Sequence, residues 1–106
     1  MIRITILYPA QPDARFDFDY YRARHAPLLL ARLGPFGITR SEIDRGIADG
    51  AGVEPEYFAV AHLHARDLAG FHAGLQAHRA ELVADIPNFT NLTPVLQVSE
   101  VLDAGA

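Results

Sequence analysis

The stretch Tyr57-Phe58-Ala59-Val60-Ala61-His62-Leu63-His64-Ala65-Arg66-Asp67-Leu68 decides the fold, because two periods meet inside it. From Tyr57 to Ala65 the chain alternates with period two. Phe58, Val60, His62 and His64 lie on one side and Tyr57, Ala59, Ala61 and Leu63 on the other, as in a strand. Asp67 is then a good N-cap. Leu68, Phe71, Leu75, His78 and Leu82 follow at spacings of three and four, which is the stripe of an amphipathic helix. Upstream the same succession occurs once more. Ile2, Ile4, Ile6 and Tyr8 alternate with Arg3, Thr5 and Leu7, so the chain opens with a strand that Pro9 and Pro12 end. Phe16-Asp17-Phe18-Asp19 reads as a helix start, with Asp17 as N-cap and Phe16 and Tyr21 at the staple positions. That helix is expected to run to Leu33 and close at Gly34 and Pro35, with Pro27 either kinking it or starting a second segment.

Between the two units, residues 38–47 mix β-branched and charged side chains, a second strand with one wet face. Gly46, Gly50, Gly52 and Pro55 mark the connection after it. Residues 85–94 form a link rich in Asn, Thr and Pro, Val95 to Leu102 a last strand, and residues 103–106 a tail expected to fray. The order βαββαβ over one domain, residues 1–106, is the ferredoxin-like split-βαβ unit: an α+β fold with a four-stranded antiparallel sheet and both helices on one face. Nothing remains in the chain to cover the other face. Either parity of the strands leaves it half apolar, with Leu7, Tyr57, Ala59, Leu63, Val95 and Val101 exposed in one choice. A second subunit is expected there, giving a homodimer; a ligand or a different partner is the alternative.

Composition narrows the chemistry. All nine basic residues of the 106 are arginine, against thirteen acidic ones, for a net charge of −4. Without lysine there is no Schiff base and no P-loop, and scattered arginines do not make a nucleic-acid surface. The absence of cysteine removes a thiolate nucleophile, an Fe–S cluster and a disulfide. No apolar stretch reaches the ~20 residues of a membrane span, and the opening strand is too short and interrupted for a signal peptide, so a cytoplasmic location is expected.

His25 is the first candidate for chemistry. Phe18, Tyr21, His25 and Leu28 share a helix face, which points the imidazole toward the sheet, where burial favours its neutral form. A neutral, half-buried His beside tyrosines suits a general acid or base; the alternative is a core histidine bonded to a carbonyl. His78 lies on the second helix's stripe, as a further pocket residue or as an anchor for residues 85–94. His62 and His64 share a strand face and offer two nitrogens, for which Glu42 or Asp44 would have to complete a metal site. No ligand spacing supports this, so no metal is expected. His72 and His78, six apart, do not share a helix face. In the 85–94 link, Asn88, Thr90 and Asn91 can orient a substrate oxygen, or else bond their own backbone to hold the turn.

The pattern Asp17-x-Asp19-Tyr20-Tyr21-x-x-x-His25-x-Pro27, followed by Asp85-Ile86-Pro87-Asn88-Phe89-Thr90-Asn91 and Pro94-Val95-Leu96-Gln97-Val98-Ser99-Glu100, resembles the EthD family over essentially the whole chain. The resemblance implies a dimeric α+β barrel, in which two ferredoxin-like sheets pack together. Members take their name from a component of a bacterial ether-degrading pathway. Relatives of the barrel include lactone isomerases, cofactor-independent oxygenases and polyketide cyclases acting on small, mostly apolar molecules. The helix histidine that such isomerases use matches His25. The reductase label some members carry finds no support in these residues, which hold no G-x-G-x-x-G, flavin motif or redox sulfur.

Two functions are therefore expected as alternatives. One is a cofactor-independent enzyme acting on a small hydrophobic carbonyl, lactone or aromatic compound, in which His25 moves a proton and Tyr8, Tyr21, His62, His78, Asn88, Thr90 or Asn91 contact the substrate. The other is a non-catalytic ligand-binding or accessory subunit of a degradation pathway. Neither calls for a nucleic acid or a membrane.

Overall fold

A computed structural model describes residues 1–103 and 105. Its elements are β1 (Ile2–Pro9), a first helix α1 (residues 18–33), β2 (Ile38–Arg45), β3 (Tyr57–Ala65), α2 (Leu68–Asp85) and β4 (Val95–Glu100). The fold is ferredoxin-like: one antiparallel sheet in the order β2-β3-β1-β4, with two helices. Strand β2 ends at Arg45 and β4 at Glu100, each two residues short of the sequence expectation. Of the tail, Ala104 and Ala106 lie outside the described residues.

The alternating side chains of β1 and β3 supply the floor of the core. Ile4, Ile6 and Tyr8 are buried, and the register sets them opposite Leu63, Ala61 and Ala59, which are buried with them. Small alanines in β3 leave room for the helices to lie close to the sheet. Phe71 and Leu82 from α2, and Leu29 and Leu33 from α1, close the layer from above.

This register corrects the expectation for the uncovered face. Ala59 and Leu63 belong with Ile4 and Tyr8 under the helices, not with Leu7. The side chains that share a face with Leu7 are Arg3, Thr5, Val60, His62 and His64, joined by Glu42 and Asp44 from β2 and Gln97 and Ser99 from β4. That face is therefore charged and hydrogen-bonding, with Leu7, Val60 and Val95 as apolar islands. The alternation was correct; pairing between strands, which period two alone does not fix, decides which parities share a side.

Helix α1 starts as the sequence predicts. The Asp17 carboxylate accepts from the Tyr20 N–H at 2.9 Å, and the rings of Phe16 and Tyr21 lie 5.7 Å apart. After one α turn (Phe18–Tyr20) the helix widens to a π segment, Tyr21–His25, where the Ala26 N–H donates to the Tyr21 carbonyl five residues back. The α-helix resumes as Ala26–Leu33, with Pro27 in its first turn. The extra residue in the π turn shifts the inward stripe. Tyr21, His25, Leu29 and Leu33 are buried, whereas Leu28, expected on that face, is only half-buried. At the C-terminus the left-handed residue is Gly37, at φ 101°, not Gly34, which stays helical and leads into a 3₁₀ turn, Gly34–Phe36.

Candidate active site

The π segment places His25 under the helix, 4% exposed, between the rings of Tyr21 and Phe89 at centroid distances of 5.2 and 4.5 Å. Its bonding partner is the last residue of the other helix. Nδ1 of His25 lies 2.8 Å from Oδ2 of Asp85. The second carboxylate oxygen, Oδ1, accepts from the Tyr20 hydroxyl at 2.6 Å and from the Asn88 amide at 3.0 Å. Burial works against the Asp85 charge, but these three hydrogen bonds outweigh it and hold the carboxyl below its usual range. An ionised carboxylate only accepts, so Nδ1 carries the proton and Nε2 is left with its lone pair. Burial pushes the imidazole below its ordinary value of 6.5, partly offset by Asp85, so His25 is neutral at pH 7.

His25 lines a cavity of about 420 Å³ between sheet and helices. Its floor is Ile4, Ile6 and Tyr8 of β1 with Leu63 of β3, its roof Leu29 and Leu33 of α1, and its side wall α2 from Phe71 to Val83. Thr93, Pro94 and Leu96 bound it where the chain enters β4. The volume lies within the range of small-molecule pockets. Tyr8 is buried, and its hydroxyl makes no hydrogen bond with any described residue. Burial, helped by the nearby Tyr21, raises the phenol far above its ordinary range, so Tyr8 is a neutral donor on the cavity wall. Nε2 of His25 likewise makes no hydrogen bond with a described residue.

No family model matches the chain, and no curated protein does. Among solved structures, an EthD-like protein from Ralstonia eutropha JMP134 is 36% identical, over 99% of this chain and 95% of that one, and superposes with a TM-score of 0.92. The chain belongs to the EthD family. Two more distant structures share its fold. One is an ethyl tert-butyl ether D (EthD) family protein from Bacillus halodurans C-125, 19% identical over 94% of this chain and 97% of that one, TM-score 0.63. The other is a dimeric ferredoxin-like protein from an uncultured marine organism, 12% identical over 100% and 99%, TM-score 0.65.

In this EthD-family chain the other sequence candidates scatter. Tyr21 is fully buried in the aromatic cluster behind His25; its hydroxyl and the Ser41 Oγ have no hydrogen-bond partner among the described residues. Asn88 sits in the Asp85 network. Thr90 and Asn91 do not line the cavity: their polar groups are spent on the β1–α1 loop. Thr90 Oγ1 donates to the Arg15 carbonyl at 2.7 Å, while Asn91 accepts from the Arg15 N–H and donates to the Asp13 carbonyl, both at 2.9 Å. His78 also faces away from the cavity, its ring packed edge-on against Phe36 at 5.9 Å. His62 and His64 are on the helix-free side of the sheet, where each bonds its own carboxylate: His62 to Asp44 at 3.2 Å, His64 to Glu42 at 2.8 Å. No group of three or more His, Cys, Asp and Glu among the described residues is arranged to hold a metal.

Sequence reasoning missed Asp85 and Tyr20 as members of the site. Both stand in the motifs that carry the family resemblance, but periodicity gives no hint that the last residue of α2 meets α1, 60 residues earlier in the chain. It also missed Phe89, which is fully buried against His25, Tyr8 and Phe16 and whose carbonyl accepts from the Asp17 N–H at 2.7 Å.

Proposed function

We propose that this EthD-family chain is a cofactor-independent enzyme that moves a proton on a small hydrophobic carbonyl, lactone or aromatic compound. The observation that carries the reading is the His25–Asp85 pair, a neutral imidazole oriented by a carboxylate at 2.8 Å on the wall of an apolar cavity. With Nδ1–H donated to Asp85, Nε2 takes a proton from a C–H or O–H of the bound molecule. The imidazolium so formed lies against the Asp85 carboxylate, which offsets its charge inside the protein. Tyr8, neutral and with a free hydroxyl, donates to the oxygen on which negative charge develops. Return of the proton from Nε2 to another carbon of the same molecule completes an isomerisation; where the carbanion first attacks a second carbonyl of that molecule, the ring bond forms as the C=O π bond opens and the proton goes to the resulting alkoxide, a cyclisation. The chain acts as a homodimer, a reading supported by its dimeric ferredoxin-like neighbours.

The test is deuterium incorporation from D2O into a panel of apolar ketones and lactones, followed by mass spectrometry. Exchange catalysed by the native protein and lost by ~10²-fold or more in His25→Gln is the expected result. Ligands that raise the melting temperature while no compound exchanges or turns over would overturn it in favour of a binding protein.

A further inference from the structure

Among the described residues the cavity wall carries one permanently charged side chain, Arg79. On α2 it follows Leu75 by four residues and precedes Leu82 by three, so it occupies a place in the stripe that faces the cavity. The aliphatic stem of Arg79 continues the apolar wall, and its guanidinium brings a charge to the edge of it. Arg79 is exposed, which sets it where the cavity meets solvent. Its guanidinium makes no hydrogen bond or ion pair with any described residue. The acidic side chain two positions on, Glu81, is already held by Arg32 at 2.7 and 3.2 Å. Among the described residues no carboxylate lines the cavity, and His25 and Tyr8 are neutral, so none of them cancels the Arg79 charge.

We propose that the cavity takes an apolar molecule bearing one anionic oxygen group, a carboxylate or a phenolate, held at the mouth by Arg79. The carbon body fills the aliphatic interior between β1 and α2, and the anionic end meets the guanidinium fork at the edge of a low-dielectric space. A wholly neutral ligand would leave the one charge that the described residues bring to the wall without a partner. The inference names the substrate class of the site proposed above and rests on that reading only for the cavity as the place of binding; it does not need His25 to move a proton.

The test is calorimetric titration of the full chain with 2-naphthoate and with 2-naphthalenemethanol, which share a ring system and differ in charge. The native protein is expected to bind the naphthoate about tenfold more tightly or better, as charge-assisted hydrogen bonds give. Arg79→Gln removes that preference and Arg79→Lys keeps part of it. His25→Gln keeps all of it, so loss of proton transfer in that variant leaves this inference standing. Equal affinity for the two probes in the native protein, an unchanged preference in Arg79→Gln, or binding of neither probe at millimolar concentration would overturn the assignment while leaving the proton-transfer test untouched.

Discussion

An ionised carboxylate on one imidazole nitrogen determines which proton the ring can move. In His25 the proton on Nδ1 is committed to Asp85, and only Nε2 can exchange. Burial lowers the His25 pKa more than Asp85 raises it, so an NMR titration is expected to place it below 6.5. Replacing Asp85 by Asn removes the carboxylate charge that raises the His25 pKa and leaves at most a neutral acceptor, which lowers that pKa further. It also costs the proton-transfer rate about 10²–10⁴-fold, because the imidazolium loses its counter-charge. A pKa that rises in Asp85→Asn would show the pair to be organised otherwise. The same depression sets the sign of acid sensitivity. The folded chain binds the His25 proton more weakly than the unfolded chain, so this contribution to stability is full above 6.5 and is lost as pH falls toward the folded pKa. Asp85, held below its ordinary value of 3.8, adds a further loss at lower pH. Urea unfolding at pH 7 and pH 5 checks this: the loss between them is expected to be smaller in His25→Gln than in the native protein.

At the scale of elements, the site depends on two devices that hold helix ends. The π turn Tyr21–His25 lets Tyr21, His25, Leu29 and Leu33 all face inward at spacings of four, and the link after α2 clamps the loop before α1. The side chains of Thr90 and Asn91 together make four hydrogen bonds with described residues, three with the backbone of residues 13–15 and one from the Leu92 N–H to Thr90. Thr90→Ala leaves the buried Leu92 N–H without its partner and is expected to destabilise the fold by about 1–3 kcal/mol in urea unfolding. A loss near zero would mean that the loop closes without the clamp. Much of this region was legible in advance. The Asp17 cap, the Phe16–Tyr21 staple and the Asp67 cap, whose Oδ1 accepts from the Gly70 N–H at 2.7 Å, are local chemistry and can be read from neighbours in sequence. The π turn was not legible, since a change from four- to five-residue hydrogen bonding has no compositional mark beyond Pro27. Nor was the Asp85 contact, because it depends on where the end of α2 comes to rest against the π turn of α1. Thr90 and Asn91 were ambiguous for a physical reason: the groups that orient a substrate oxygen are the same groups that bind a carbonyl of the chain.

At the scale of the whole molecule, the unfinished surface is strand β4. Among the described residues it pairs only with β1, and its Val95, Leu96 and Val98 are 54, 48 and 38% exposed, so it presents apolar side chains on both faces at the edge of the sheet. Val95 lies on the helix-free face with Leu7 and Val60; Leu96 reaches round to the cavity. On the helix-free face His62 and His64 each hydrogen-bond a carboxylate of β2, Asp44 at 3.2 Å and Glu42 at 2.8 Å. A second copy laid against this side would remove Val95, Leu7 and Val60 from water together, whereas a monomer keeps all three partly wet. Sedimentation equilibrium at micromolar concentration is expected to give about twice the chain mass of 11.6 kDa. Val95→Glu places a charge among those apolar side chains and is expected to shift the mass toward the monomer. Leu68→Glu, equally exposed but at the start of α2 on the helix layer, is expected to leave the mass unchanged. Monomeric native protein would show that β4 and the helix-free face stay in water. A dimer that Leu68→Glu breaks and Val95→Glu does not would move the interface from the sheet to the helices.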